Sequence, residues 1–216
     1  ALKTVIDRPL DFTETLDGSY DCYPHVVPDR YLLSGHIPSS GALLDWLVRL
    51  LSAPAPAPET TQLLWQAAAA SQPGAGGVRV APFLEGTGSP LNDRGRRAEV
   101  TGAGARTESG DVLRAGVEAL AGWVSVNLDL FEAITGTRAG SLLLTGGGAR
   151  NELSNRVKAA LLNRPFDIPD VGAAAGLGAA LVAGLATGVF ADAEAAARLP
   201  SIRTRRIQPE PELVAD

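Results

Sequence analysis

Three consecutive glycines, Gly146, Gly147 and Gly148, stand between an apolar run and a polar segment in the stretch LLLTGGGARNEL. A strand, a glycine-rich turn and a helix in succession make a site for anions or nucleotides. The turn exposes backbone N–H groups, and the helix N-terminus adds partial positive charge. Glycine also lets a phosphate or a flat base approach the backbone without meeting a Cβ atom. A tight strand-to-helix turn explains the same residues, so the sequence leaves both explanations open.

The residues around this turn exclude two common phosphate-binding loops. No Gly-Lys-Ser or Gly-Lys-Thr follows it, so it is not a Walker loop, and its spacing is not G-x-G-x-x-G.

Other residues that could take part in catalysis or binding are few. His25 and His36 have no third metal ligand in view, which favours ordinary core or surface histidines. Asn92 and Asp93 fit an Asx-type turn as well as they fit a cleft-facing site.

Hydrophobic periodicity predicts the elements that position the glycine turn. Apolar residues three or four apart predict helices over Ser40 to Leu51, through QLLWQAAAA with a cap at Thr60 or Thr61, over Gly110 to Thr135, and directly after the glycines. Runs typical of strands are TVID, YLLSGH, VRVAPFL, AEVTGA, SLLLT and RPFDIPD. This order indicates an α/β domain with helices packed on a sheet.

Length and charge narrow the class of protein. The 216 residues suit one large domain or two small ones, and the net charge of -5 provides no basic field for nucleic acid or anionic lipid. Cys22 is the only cysteine, so an internal disulfide is impossible, and without a leader-like segment we expect a cytoplasmic protein. Because the chain begins at Ala1 and contains no methionine, we expect it to be a piece of a longer protein.

Three further segments carry structural predictions. Val171 to Ala191 has no charge but consists mostly of Ala and Gly, which favours a buried helix packed by small residues over a membrane span. Arg114 and Glu118 are one helical turn apart and predict an i,i+4 ion pair. At the end of the chain, three arginines predict a solvated tail: Arg203, Arg205 and Arg206.

Four stretches, in the same order, resemble the C-terminal domain of the FGGY family of carbohydrate kinases. They are SGALLDWL, APFLEGTGSPLNDRGRRAEVTG, RAGVEALAGWV, and TGGGARNELSNRVKAALLNRP followed by GAAAGLGAALVAG. The resemblance runs from about Thr4 to Glu212. It implies an α/β, ribonuclease-H-like domain of the actin-like ATPase superfamily over residues 1–216, with a mixed sheet and packed helices. It also implies ATP with Mg²⁺ as the cofactors.

The resemblance assigns nucleotide-binding roles to residues of two segments. Gly147, flanked by Gly146 and Gly148, would lie against the nucleotide, and Asn151 would hydrogen-bond the base edge. Gly41 would lie where backbone packs near the base. Asp45 stands where some relatives have glutamine, and a carboxylate accepts hydrogen bonds but cannot donate one as an amide does.

The sequence also departs from the family pattern. The Glu-Gly pair of the long helix is Glu118-Ala119 here, and an Arg-Gly pair is Arg97-Ala98. The Gly-Thr-Ser/Thr phosphate loop and the N-terminal domain, which holds the sugar site and the catalytic aspartate, have no counterpart in these residues. We therefore assign no catalytic residue, and we expect the chain alone to be inactive.

Taken together, the resemblance implies half of a kinase that phosphorylates a hydroxyl of a sugar or polyol. Within the family, the chain resembles the xylulokinase and gluconate kinase branches. The implied partners are ATP, the sugar or polyol, the missing N-terminal domain and a second copy in a homodimer. An alternative is a non-catalytic nucleotide-binding or regulatory module of the same superfamily.

Overall fold

The computed structural model describes residues 1–38, 40–198 and 202–215 of the chain. These residues form eight strands and six α-helices. In chain order they are β1 (Leu2–Ile6), β2 (Asp21–Pro24), β3 (Tyr31–Gly35), α1 (Ser40–Leu51), α2 (Pro58–Ala70), β4 (Arg79–Ala81), β5 (Glu99–Thr101), α3 (Ser109–Thr135), β6 (Leu142–Leu143), α4 (Glu152–Leu162), β7 (Phe166–Pro169), α5 (Ala174–Ala186), α6 (Ala193–Ala197) and β8 (Thr204–Ile207).

The strands form three small sheets. The first has the order β1-β3-β2 with antiparallel neighbours, and β4 and β5 form a separate antiparallel pair. The third has the order β6-β7-β8, in which β6 is parallel to β7 and β8 is antiparallel to it. The predicted α/β class with a mixed sheet and packed helices is therefore confirmed.

The long helix α3 is the centre of the core. It packs against α1, α2, α4, β1 and β4, and its buried side chains include Leu113, Val117 and Leu120. Two of its glycines allow close helix contacts. A Cβ atom at Gly110 would lie 2.6 Å from the backbone of Ala67 in α2, and one at Gly116 would lie 2.3 Å from Leu47 in α1.

Most predicted elements are present, but some of their ends differ. The helices over Ser40–Leu51 and Ser109–Thr135 match their predictions closely. The strand predicted over VRVAPFL is only three residues long, and β2 was not predicted. The predicted cap at Thr60 or Thr61 is wrong. Helix α2 begins at Pro58, because proline has a fixed φ suited to the first helical position and lacks an N–H that would need a cap.

The Ala/Gly segment is helical but not buried, so that prediction is wrong. Helix α5 covers Ala174–Ala186, and Gly184 is its one buried residue. Its principal contact is the short helix α6, because alanine and glycine provide too little apolar side chain to hold a helix against the core. No helix in the described part of the chain is long and apolar enough to cross a membrane.

The predicted solvated tail is also wrong in part, since Thr204–Ile207 form strand β8. This strand pairs along the whole of β7. Ile207 is buried, and two of the three arginines bind acidic partners. Arg205 lies 2.6 Å from Glu152, and Arg206 lies 3.7 Å from Asp167. A four-residue strand with a single buried side chain carries too little pattern to be predicted from sequence.

Candidate functional site

The glycine turn joins β6 to α4 on the surface of the domain. Gly147–Arg150 form one turn of 3-10 helix, and α4 begins at Glu152. Gly146 has φ 78° and ψ −163°, a conformation that side-chain-bearing residues rarely adopt. The turn geometry therefore requires glycine at this first position.

Gly147 and Gly148 have no such requirement. Neither has a positive φ, and a Cβ atom built at either position meets no described atom within 4 Å. Both residues are exposed. The fold of this chain therefore explains one glycine of the three, and the other two keep an open face of backbone beside a helix N-terminus.

Asn151 caps the helix that follows. Its Oδ1 accepts a hydrogen bond of 2.8 Å from the N–H of Ser154, as an N-cap residue does. Asn155 supports the turn from inside, because its Nδ2 donates to the carbonyl of Ala149 at 2.8 Å. The carbonyl end of the Asn151 amide is thus engaged in the cap, which leaves the NH₂ end for any contact with a base.

Helix α1 lies against the glycine turn and brings the second predicted segment to the same region. Ser40 and Gly148 line one cavity of about 480 Å³. Gly41 and Asp45, in the first two turns of α1, are both exposed, and a Cβ atom at Gly41 would meet no described atom within 4 Å. The two segments that the sequence assigned to one site are therefore neighbours in the fold.

Lys158 is a candidate that the sequence reasoning missed. Its side chain lines the same cavity from α4, and burial lowers its pKa to about 8. Among the residues that the structure describes, it has no ion-pair partner within 4.0 Å. Lys158 stands three residues before Leu161, within one turn of the predicted apolar face of α4. This spacing is the signal in the sequence that could have indicated its burial.

Two of the remaining sequence candidates, Asp93 and His25, have structural explanations. Asp93 forms an Asx turn in which its Oδ1 accepts from the N–H of Gly95 at 2.7 Å, and His25 accepts from the backbone N–H of Val27. In the described ranges, no three His, Cys, Asp or Glu residues are placed to hold a metal ion. The predicted ion pair of Arg114 and Glu118 is confirmed at 2.7 Å.

Comparison with known proteins identifies the family of this chain. The model of the FGGY family of carbohydrate kinases, C-terminal domain, matches residues 3–187. The chain belongs to this family. In sequence it is 33% identical over 180 residues to a glycerol kinase of Variovorax paradoxus (strain S110), an alignment that covers 82% of this chain and 35% of that kinase.

Solved structures with the same fold include further kinases of this family. A xylulose kinase from Lactobacillus acidophilus matches with a TM-score of 0.82 at 21% identity, covering 98% of this chain and 41% of that one. A xylulose kinase from Brucella ovis matches with a TM-score of 0.81 at 25% identity over the same shares of each chain. The ribonuclease-H-like, actin-like fold is confirmed by these likenesses. This chain spans about a third of the length of the curated relatives and about two fifths of these structures.

Proposed function

We propose that this domain is the ATP-binding half of a kinase that phosphorylates a hydroxyl group of a sugar or polyol. The observation that carries the proposal is the open backbone at Gly147 and Gly148, which the fold itself does not require. A ligand that lies flat on this backbone explains glycine at both positions. The family match gives that ligand its identity as a nucleotide.

The residues at the turn fit a nucleotide in three respects. The N-terminus of α4 offers partial positive charge next to the exposed N–H groups of the turn. The NH₂ end of Asn151 is a donor for the edge of adenine, and the exposed start of α1 at Gly41 borders the same region. Asp45 lies one turn further along α1, where its carboxylate would accept from the base or ribose. A Plasmodium falciparum glycerol kinase of the same fold is described with ADP.

ATP supplies the phosphoryl group, and this domain orients it. Phosphoryl transfer depends mainly on positioning and on neutralising charge. The described residues offer no three-ligand metal cluster, so Mg²⁺ would be held chiefly by the phosphates. The general base for the acceptor hydroxyl would come from the other domain, since no residue here has been assigned that role.

The acceptor is proposed at two levels of detail. Glycerol, xylulose and gluconate kinases are all similar to this chain, and the substrates that give these kinases their names share a polyhydroxylated carbon chain. We propose a sugar or polyol as the general class, and a xylulose-like substrate as the specific one. The remainder of a two-domain kinase, and a second copy of it, are the proposed protein partners, with the cytoplasm as the place of action.

Calorimetry with a non-hydrolysable ATP analogue tests the nucleotide role. We expect the chain to bind the analogue and Gly147→Val to weaken that binding. In a coupled ADP assay, we expect the chain alone to phosphorylate no pentose, hexonate or polyol. Absence of analogue binding by a longer kinase chain containing these residues would refute the proposal. Turnover by the 216 residues alone would refute the assignment of the general base to the other domain.

A further inference from the structure

Two backbone donors of the glycine turn are free. In the described part of the chain, no backbone carbonyl accepts from the N–H of Gly147 or Gly148. The next N–H, that of Ala149, donates to the carbonyl of Gly146 at 3.1 Å and closes the turn. Two neighbouring N–H groups bind one ligand together only while both keep the direction that the ligand requires. Binding at these donors therefore depends on what fixes the peptide groups around them.

Three hydrogen bonds from the start of α4 hold the turn. The N–H of Ser154 donates to Oδ1 of Asn151 at 2.8 Å, and the N–H of Asn155 donates to the carbonyl of Asn151 at 3.0 Å. Both are the bonds of an ordinary capped helix. The third bond comes from the Asn155 side chain, whose Nδ2 donates to the carbonyl of Ala149 at 2.8 Å. Of the side chains that the structure describes, Asn155 is the one that donates to the turn Gly147–Arg150.

Asn155 is a costly residue for the core of the domain. It is 0% exposed, and among the described residues its Oδ1 has no hydrogen-bond partner. A buried polar atom without a partner lowers the free energy of unfolding. Leucine has the same branching and the same number of side-chain heavy atoms, forms helices more readily, and has no polar atom to bury. Stability alone would therefore favour an apolar residue at this position.

The carbonyl that Asn155 binds does not require this amide for folding. Ala149 is only half-buried, so water can replace the amide as the donor to its carbonyl. Water supplies the hydrogen bond but does not hold the turn in place, because it moves with the turn. The amide adds a fixed connection between the helix and the peptide group that follows Ala149.

We propose that Asn155 is a positioning residue of the nucleotide site. Its amide holds the carbonyl of Ala149 and thereby fixes the turn in the orientation in which the N–H groups of Gly147 and Gly148 meet the nucleotide. Asn155 itself is fully buried and acts through the turn without touching the ligand. The inference rests on the proposed function, since the ligand of this turn is the ATP proposed above.

The backbone freedom of glycine explains why the turn needs such a connection. Gly146, Gly147 and Gly148 have no side chains to restrict φ and ψ, so a turn without the amide samples several orientations. A nucleotide that binds a mobile turn must order it and loses affinity, whereas a fixed turn is already ordered. Loss of the Asn155 amide should therefore weaken binding without unfolding the domain.

Asn155→Leu tests this role, with Ser154→Ala as the matched control. Both positions are buried, and the Oγ of Ser154, like the Oδ1 of Asn155, has no described partner. The cap uses the backbone N–H of Ser154, which alanine keeps. In calorimetry on the longer kinase chain, we expect Asn155→Leu to raise the Kd of a non-hydrolysable ATP analogue roughly three- to tenfold. Ser154→Ala should leave that Kd unchanged.

Two measurements on the 216-residue chain separate positioning from folding. Without ligand, the Tm of Asn155→Leu should lie within about 5 °C of the native value, because removal of the unpaired oxygen offsets loss of the hydrogen bond. NMR order parameters at the amides of Gly147 and Gly148 should fall from about 0.85, the value of a rigid backbone, to below about 0.6. Ser154→Ala should leave these order parameters unchanged.

Two results would overturn the inference. One is an Asn155→Leu chain that binds the analogue as tightly as the native chain. The other is a Tm more than about 5 °C lower in both Asn155→Leu and Asn155→Ala, because the smaller alanine excludes overpacking as the cause and makes Asn155 a core residue. A native chain that binds no analogue contradicts the proposed function itself. Equal binding by the native and Asn155→Leu chains refutes this inference alone.

Discussion

Glycines in two regions of this domain have opposite surroundings. In helix α3, Gly110 and Gly116 face other helices so closely that a Cβ atom would lie within 3 Å of a neighbour. In the turn before α4, a Cβ atom built at Gly147 or Gly148 meets no described atom within 4 Å. The first pair is required by packing between helices. The second pair has no such requirement, and this difference is what directs attention to a ligand.

Polar groups in the two regions differ in the same way. Arg114 in α3 is 1% exposed, and Glu118 binds it at 2.7 Å while also accepting from the N–H of Gly74 at 3.0 Å. Near the turn, Lys158 borders a cavity, and no acidic residue among those described lies within 4.0 Å of it. The charges of Arg114 and Glu118 are therefore paired within this chain, whereas the surface around β6 and α4 has groups available to bind others.

The largest expected effect is on folding, at Gly110. Gly110→Ala places a methyl group 2.6 Å from the backbone of Ala67, and a backbone that belongs to another helix cannot move away cheaply. We expect a loss of about 3 kcal/mol, the upper end of the usual range for overpacking. Thermal unfolding should show a Tm lower by roughly 6–12 °C.

Gly122→Ala, in the same helix, is the control for that experiment. No described atom lies within 4 Å of a Cβ built there, so the change relieves the entropic cost of glycine. It should stabilise the domain by about 0.5–1 kcal/mol. Equal losses from the two substitutions would mean that helix packing does not distinguish these glycines.

The second prediction concerns ligand affinity. Gly147→Val should weaken binding of an ATP analogue by about 1–3 kcal/mol, roughly a 5- to 150-fold rise in Kd, because the new side chain occupies the space of the nucleotide. Its Tm without ligand should change little, since no described atom is near. Gly146→Val is the comparison that should lower the Tm, because φ there is 78°. An unchanged Kd for Gly147→Val would contradict the nucleotide assignment.

The third prediction separates the roles of the two ends of the Asn151 amide. Asn151→Asp keeps an oxygen for the cap on Ser154 but removes the NH₂ donor. We expect it to preserve the Tm and to weaken binding of the adenine nucleotide by about 0.5–1.5 kcal/mol. Asn151→Ala should additionally destabilise the domain by about 1 kcal/mol. If Asn151→Asp binds nucleotide as tightly as the native chain, Asn151 is a cap alone.

The smallest effect is a dependence of stability on pH. Burial lowers the pKa of Lys158 from its ordinary value of 10.5 to about 8, so between pH 8 and 10 the unfolded chain binds more protons than the folded one. Stability contributed by this group therefore rises with pH over that window. Lys158→Met should flatten the rise in chemical denaturation curves. The measurement should stop near pH 10, because the raised pKa of Tyr20, about 12, acts in the opposite direction above it.

Secondary structure could be predicted wherever a long pattern repeats. Helix α3 carries apolar residues at steps of three or four along most of its 27 residues. Its observed start, Ser109, is one residue before the predicted one, and its end at Thr135 is the predicted one. Strand β8 and the start of α2 depended on one buried isoleucine and one proline, and both were missed. Helix α5 shows a different limit. Its composition predicts a helix but does not indicate whether other elements of the domain pack against that helix.

The sequence by itself determined the family, the class of fold and the position of the glycine turn, because motifs and periodicity are properties of neighbouring residues. Only the tertiary structure separated Gly146, whose φ demands glycine, from Gly147 and Gly148, whose surroundings do not. It also placed Lys158 at a cavity of about 480 Å³. Those facts depend on distances between segments far apart in the chain, and such distances are set by the packing of strands and helices on α3.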